Sequence, residues 1–325
     1  MHENRRKATI KSEAHFQAAA DLFDDWQHDV LSGESPTLYP VGDGELARLE
    51  IGPGLVTLLG GAPGAGKTAL TMQLTCEALD RTPGLRALVC NVEMSPAILL
   101  DRQLARLSGV GAHFIRKRQL GAEHIEAINR GMSGPERFAD RLAFVRSPYD
   151  LANVAASADT FDAGLIVLDY VQRIGAFGDH GDRRGAVDAT MSYLWQFADA
   201  GTALIVVAAL ARSKDSKGRS SYSEGLNLAS FRESSELEFG ADDAFILVPD
   251  DDEEAPPSRV VLKHLKGRHG EARDIALSFD RPHQRFTPTE PTEPPKRADK
   301  GKLQIALRAL WESTGPSDEG EGDAW

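Results

Sequence analysis

Cysteine is scarce here: Cys76 and Cys90 are the two thiols among 325 residues. That excludes a disulfide framework and a cysteine-rich metal site. Both fall in apolar segments and read as small buried hydrophobes. Long apolar runs are also missing. None approaches the ~18 residues that a helical membrane span needs, and the polar start, Met1 to Lys11, has no secretory apolar core. The expected compartment is the cytoplasm, with no membrane partner. A basic excess is absent too: 37 Lys and Arg face 49 Asp and Glu, a net charge of −12. This argues against a globally basic nucleic-acid coat but leaves room for a local basic channel. Aromatic residues are few, at 7%, yet hydrophobic residues reach 41% and charged residues 26%, the balance of an ordinary globular chain. No internal repeat is present.

What the sequence does have is one organising stretch, Gly61-Ala62-Pro63-Gly64-Ala65-Gly66-Lys67-Thr68. It fits the phosphate-cradling pattern of spaced glycines followed by lysine and a hydroxyl residue. The apolar run Leu55–Leu59 ahead of it reads as a buried strand, and Leu70, Leu74 and Leu79 behind it mark a helix. Glycines let backbone N–H groups turn toward phosphate oxygens, and the helix start offers its positive end to the same anion. Lys67 is placed to reach the β- and γ-phosphates, and the Thr68 hydroxyl to complete a Mg²⁺ shell. The stretch predicts a nucleoside triphosphate site.

Around it the chain alternates strands and helices. Phe16, Ala19, Ala20, Phe23, Trp26 and Val30 recur at helical spacing between Ser12 and about Leu31. This amphipathic helix either packs on its own domain or docks on a neighbouring subunit. Ala87–Asn91 is a second strand; Glu93 follows its carboxyl end, where open α/β sheets build their sites. Ser95 caps the helix bearing Leu99, Leu100, Leu104 and Leu107. A helical region runs through Arg130, then come the strand Leu142–Val145 and a helix near Asp150–Asp159. Leu165–Leu168 is an inner strand with Asp169 at its tip, a Mg²⁺ holder or else an acidic helix cap.

Gly175–Arg184 is a glycine-rich charged loop, followed by a helix with Val187, Met191, Leu194 and Phe197 and the strand Leu204–Ala208. Arg212 to Asn227 is long and polar. Ala244–Val248 and Val260–Leu265 flank an acidic loop, and Ile275–Phe279 is expected to be the antiparallel edge strand. The alternation predicts an α/β fold with a mostly parallel sheet and helices on both faces. From Thr287 to Lys300, Pro, Thr and Glu dominate and read as a linker. A short helix around Leu303–Trp311 and an acidic tail, Ser317–Trp325, close the chain. The tail is either a solvated end or a tethered peptide for a replication partner, with Trp325 as its anchor.

From about residue 20 to 287 the ordered motifs resemble the RecA-like motor domain of DnaB-type replicative helicases. After the phosphate loop come Asn91-Val92-Glu93-Met94-Ser95, then Arg102 and Leu107-Ser108-Gly109-Val110. Leu168-Asp169-Tyr170-Val171-Gln172 is similar to the family's Asp-Tyr-Leu-Gln. Phe231-Arg232-Glu233-Ser234 through Ala241-Asp242 and Lys266-Gly267-Arg268-His269-Gly270 complete the series.

The resemblance implies a RecA-like P-loop NTPase at residues 45–287. Ahead of it, residues 1–44 hold a polar start and a docking helix; behind it, residues 288–325 form linker, short helix and tail. It implies ATP and Mg²⁺ as ligands, Glu93 as the base that polarises water, and Arg102 among the nucleotide-binding residues. Lys266 and Arg268 would act in trans on a neighbour's γ-phosphate, which requires a ring, expected to be a hexamer. Arg183, Arg184, Arg212, Lys214, Lys217 and Arg219 would hold single-stranded DNA in the central channel, the alternative being a solvated basic surface. The implied function is an ATP-dependent helicase or translocase in DNA replication.

Two departures stand out. Ala209 occupies the place of the family's polar sensor and cannot hydrogen-bond a γ-phosphate through its side chain. The segment before residue 45 is too short for the family's N-terminal domain, so a stripped, plasmid- or phage-like motor is expected. Ala209 keeps open an alternative, a non-unwinding RecA-like ATPase that acts as a DNA-binding switch, loader or regulator.

Overall fold

The computed structural model describes residues 18–33, 35–176, 183–210, 213–214, 220–221, 226–231, 240–249 and 258–289. The chain divides into two compact units, residues 1–36 with 295–325, and residues 37–294. In the first, the described element is helix α1 (Ala19–Ser32), ended by Gly33 in the left-handed region at φ 64°. None of its residues is buried. Leu22, Trp26 and Val30 share one face, and the Phe23 and Trp26 rings lie 5.5 Å apart. The expected short helix and tail beyond residue 300 lie outside the described residues.

The second unit is built on strands β1 (Val56–Gly61), β2 (Ala87–Asn91), β3 (Leu142–Phe144), β4 (Leu165–Asp169) and β5 (Ala203–Val207). A separate hairpin pairs β6 (Ser213–Lys214) with β7 (Ser220–Ser221), and β8 (Asp243–Pro249), β9 (Arg259–Gly267), β10 (Ile275–Asp280) and β11 (Arg285–Pro288) follow. Nine of them form one sheet in the order β11-β10-β9-β8-β1-β5-β4-β2-β3. From β8 to β3 neighbours run parallel; β9, β10 and β11 add an antiparallel extension. The inner strands read as continuous apolar runs because both of their faces are covered.

Alternate residues feed two cores. Leu59, Val89, Val167 and Ile205 pack with Leu70, Leu74 and Leu79 of α2 (Lys67–Arg81) and Leu99 of α3 (Pro96–Ser108). Leu58, Leu88, Ile166, Leu168 and Val206 pack with Val154 of α6 (Leu151–Phe161) and with Met191 and Leu194 of α7 (Arg183–Asp199). Cutting a fully buried leucine such as Leu70 or Leu165 to alanine would cost about 2–5 kcal/mol. Between α3 and β3, helices α4 (Ala112–Lys117) and α5 (Ala122–Glu136) enclose a small satellite core of Ala105, Val110, Ile115 and Ile128.

The sequence pattern predicts the sheet edge at Ile275–Phe279. The structure corrects this: β10 has β9 on one side and β11 on the other, so β11 is the edge. Thr287 and Pro288, expected to start a linker, belong to that strand. Its anchor is Phe286, whose ring stacks on Phe279 at 4.1 Å and 2° between planes. A strand of four residues with one buried side chain carries too little alternation to be seen in sequence.

Candidate active site

The phosphate loop leaves the carboxyl end of β1 and enters α2 with Gly66 at φ 103°. A Cβ there would also sit 2.8 Å from atoms of both Phe279 and Phe286, so the loop packs on the aromatic pair with no room for a side chain. Lys67 is the first residue of α2, and its Nζ donates to the carbonyls of Gly61 (2.8 Å) and Ala62 (3.1 Å). Burial holds its ammonium below the usual lysine range, against the opposing pull of Asp169 and Glu93. Thr68 donates its hydroxyl to Asp169 Oδ2 at 2.6 Å.

Asp169 ends β4 and is buried. Burial raises its carboxyl above the ordinary range, and the Thr68 hydrogen bond and Lys67 charge only partly offset the shift. Asn91, at the end of the adjacent strand β2, gives its Nδ2 hydrogen to the same Oδ2 at 2.7 Å. Its Oδ1 accepts the N–H groups of Glu93 (3.0 Å) and Met94 (2.7 Å). One buried amide thus ties the loop carrying Glu93 to the acid at the tip of β4. Glu93 itself is half-exposed, with Arg173 Nη1 at 3.9 Å from its Oε1.

Lys67, Thr68, Glu93 and Asp169 line one cleft of about 590 Å³, together with Arg102 from α3. Burial lowers the Arg102 guanidinium's pKa, with Asp169 opposing the shift. Phe279 of β10 lines it too, and two further lining residues carry no signal in the sequence: Arg281 and Gln284, at the β10–β11 turn. Arg281 donates to the Gly64 carbonyl at 2.7 Å and lies 5.0 Å over the Phe279 ring, clamping the turn to the phosphate loop. Ala209 lines the cleft as well. Its N–H donates to Gln172 Oε1 (3.0 Å) and its carbonyl accepts from Gln172 Nε2 (3.3 Å), so the buried glutamine holds this main chain from both sides.

Lys266 and Arg268 do not line this cleft. They sit at the end of β9 and just beyond it, where Arg268 Nη1 meets Asp242 Oδ1 at 2.7 Å. Of the residues expected to hold DNA, Arg183 and Arg184 open α7 and Lys214 belongs to β6. Arg212, Lys217 and Arg219 lie outside the described residues. In chain order α7 follows β4, and β6 follows β5.

Glycine turns with positive φ at Gly61, Gly64 and Gly66, a helix start and a half-buried lysine have the form of a cradle suited to phosphate oxygens. A family model described as the DnaB-like helicase C terminal domain matches residues 51–288. The chain belongs to that family. Among solved structures, the ATPase domain of G40P is similar with a TM-score of 0.73 at 18% identity, covering 85% of this chain and 100% of that one. A DnaB-like replicative helicase, described with its interactions with primase, gives 0.71 at 18% identity over 87% of this chain and 69% of its own. No curated protein matches the sequence. The fold is the RecA-like fold of DnaB ATPase domains, with the antiparallel extension β9–β11 included in the family match. Among the described residues, no helix is long and apolar enough to cross a membrane.

Proposed function

We propose that this DnaB-family chain hydrolyses ATP with Mg²⁺ and works as a ring, a hexamer by family likeness, that moves on single-stranded DNA during replication. In this reading the N–H groups of residues 61–68, Lys67 and Arg102 bind the nucleotide. The β10–β11 turn, through Arg281 and Gln284, closes the other wall. Thr68 and Asp169 hold Mg²⁺, which neutralises charge on the phosphates of the substrate. Their oxygens, now joined by a 2.6 Å hydrogen bond, are the hard donors such an ion would take. Among the described residues no cluster of three or more His, Cys, Asp or Glu side chains offers a rival metal site. Glu93, kept on its loop by Asn91, accepts a proton from the attacking water.

The observation that carries the ring is the distance between the phosphate loop and Arg268. Asp242, which holds Arg268, bonds Val56 at the start of β1, whereas the phosphate loop begins at β1's end. At about 3.3 Å per residue the two ends lie roughly 17 Å apart, beyond the reach of an arginine side chain. This supports a role for Arg268 on another subunit's phosphate, where such a cation contributes about 10³-fold or more to turnover. The exposed face of α1, with Leu22 at 46% and Val30 at 37%, suits docking on a neighbour. The basic segments around Arg183, Arg184, Arg212, Lys214, Lys217 and Arg219 are assigned to the DNA. The setting is the cytoplasm.

Ala209 favours a second reading, a DNA-binding switch or loader that hydrolyses ATP without unwinding. Its side chain has no polar atom, and its main-chain groups are engaged by Gln172. The test is a pair of assays on the same preparation. ATP hydrolysis stimulated by single-stranded DNA together with strand separation of a forked duplex supports the motor. Stimulation without strand separation supports the switch, and no DNA response contradicts both.

A further inference from the structure

Asp242 stands just ahead of β8 with its carboxylate buried, its side chain 8% exposed. Both oxygens are occupied. Oδ2 accepts the Val56 N–H at 2.8 Å, and Oδ1 faces Arg268 Nη1 at 2.7 Å with His269 Nε2 at 3.9 Å. Its main chain is engaged as well: its N–H donates to the Val56 carbonyl (2.8 Å) and its carbonyl accepts the Arg268 N–H (2.9 Å). Arg268 is therefore gripped at both ends by one residue, which is itself stitched to the start of β1.

The strand carrying Arg268 is set by two further devices. A register shift between Ala244 and Phe245 leaves Leu265 as an extra residue, and a bulge of this kind re-aims the side chains beyond it. Just before the bulge, His264 pairs with Asp243 at 2.9 Å and stacks on Phe245 at 4.3 Å. The neighbouring acids Asp243 and Asp242 thus brace β9 ahead of the bulge and Arg268 after it. A buried carboxylate tied to a rigid central strand is a strong anchor for a guanidinium, whose planar fork lets one N–H bind the anchor while others point away. Arg268 is still 52% exposed, consistent with an outward-facing remainder.

We propose that Asp242 is the positioning residue for Arg268: it fixes the pose in which the guanidinium is presented to a neighbouring subunit's phosphates. This rests on the trans role assigned to Arg268 above. Asp242→Asn separates the two jobs of the carboxylate. The amide oxygen can still accept the Val56 N–H, but its NH₂ then faces another donor, so Arg268 is released. The experiment is a double-mutant cycle of Asp242→Asn and Arg268→Ala in the full chain. It reads DNA-stimulated ATP hydrolysis, binding of a fluorescent ATP analogue and the thermal midpoint.

The expected result is a fall in kcat of about tenfold for Asp242→Asn, with nucleotide affinity unchanged within about twofold. In the Arg268→Ala background Asp242→Asn should have no further effect. Equal losses in both backgrounds, or no loss with Arg268 present, would overturn the proposal. Wild-type kcat for Arg268→Ala would instead overturn the trans reading, and the role of Asp242 with it. If Asp242→Asn lowers the midpoint too far to assay, Asp242→Glu replaces it in the cycle, keeping the charge but moving the carboxylate by one methylene.

Discussion

Thr68 and Asn91 both donate to a single atom, Oδ2 of Asp169. An asparagine at position 169 whose Oδ1 takes that place keeps both hydrogen bonds and loses only the charge. Burial outweighs the attraction of Lys67 and raises the Asp169 pKa, so ionisation costs more in the fold than in water. The sign follows: the cost is absent below the unfolded value of about 3.9 and grows as pH rises through the higher folded value. In chelated buffer at neutral pH, Asp169→Asn should therefore melt above wild type, with the gain vanishing in acid. Mg²⁺-dependent hydrolysis should fall by about a hundredfold or more. A neutral-pH midpoint at or below wild type would contradict this account of Asp169.

Lys67 and Glu93 line the same cleft but should fail differently. Lys67→Ala removes the cation from the phosphate cradle, and binding of a fluorescent ATP analogue should weaken by about a hundredfold. Glu93→Gln should bind within about threefold of wild type yet hydrolyse about 10²–10⁴ times more slowly. Hydrolysis by Glu93→Gln near the wild-type rate would remove Glu93 as the base.

Arg281 touches the phosphate loop at Gly64 rather than any of the acids. Arg281→Ala should raise the KM for ATP by about tenfold and leave kcat within about twofold. Initial rates across ATP concentrations decide it; an unchanged KM would show that the turn is only scaffolding.

Residues close in sequence, or at strand tips, are legible from the amino-acid order alone. Lys67 and Thr68 belong to one local motif, while Glu93 and Asp169 sit where apolar runs end, and the inner strands are visible as such. Other parts are invisible for physical reasons. Arg281 meets Gly64 across 217 residues of sequence, and no local period encodes such a contact. Asn91 is legible as a strand end, but its amide's bridge from Glu93 to Asp169 is not. The edge strand β11 depends on Phe286 meeting Phe279, and Asp242 gains meaning only when β1, β8 and Arg268 converge on it. The acidic total likewise hides where basic groups lie.

Reversing the charge of Lys214, Lys217 and Arg219 should weaken binding to single strands of any sequence. If each meets one phosphate, the slope of log K against log salt should flatten by roughly two, since each contact on a single strand accounts for about 0.7. Fluorescence anisotropy over a salt series measures it. An unchanged slope would place the DNA elsewhere.

The most direct test of the ring with shared sites is a mixing experiment. Arg268→Ala keeps Glu93, and Glu93→Gln keeps Arg268, so a mixed ring contains interfaces at which the two proteins together supply a complete site. With total protein fixed and subunits exchanging freely, the account predicts two nearly inactive pure proteins. ATP hydrolysis should rise to a maximum at intermediate ratios. Hydrolysis that never exceeds the weighted sum of the two pure proteins would contradict it.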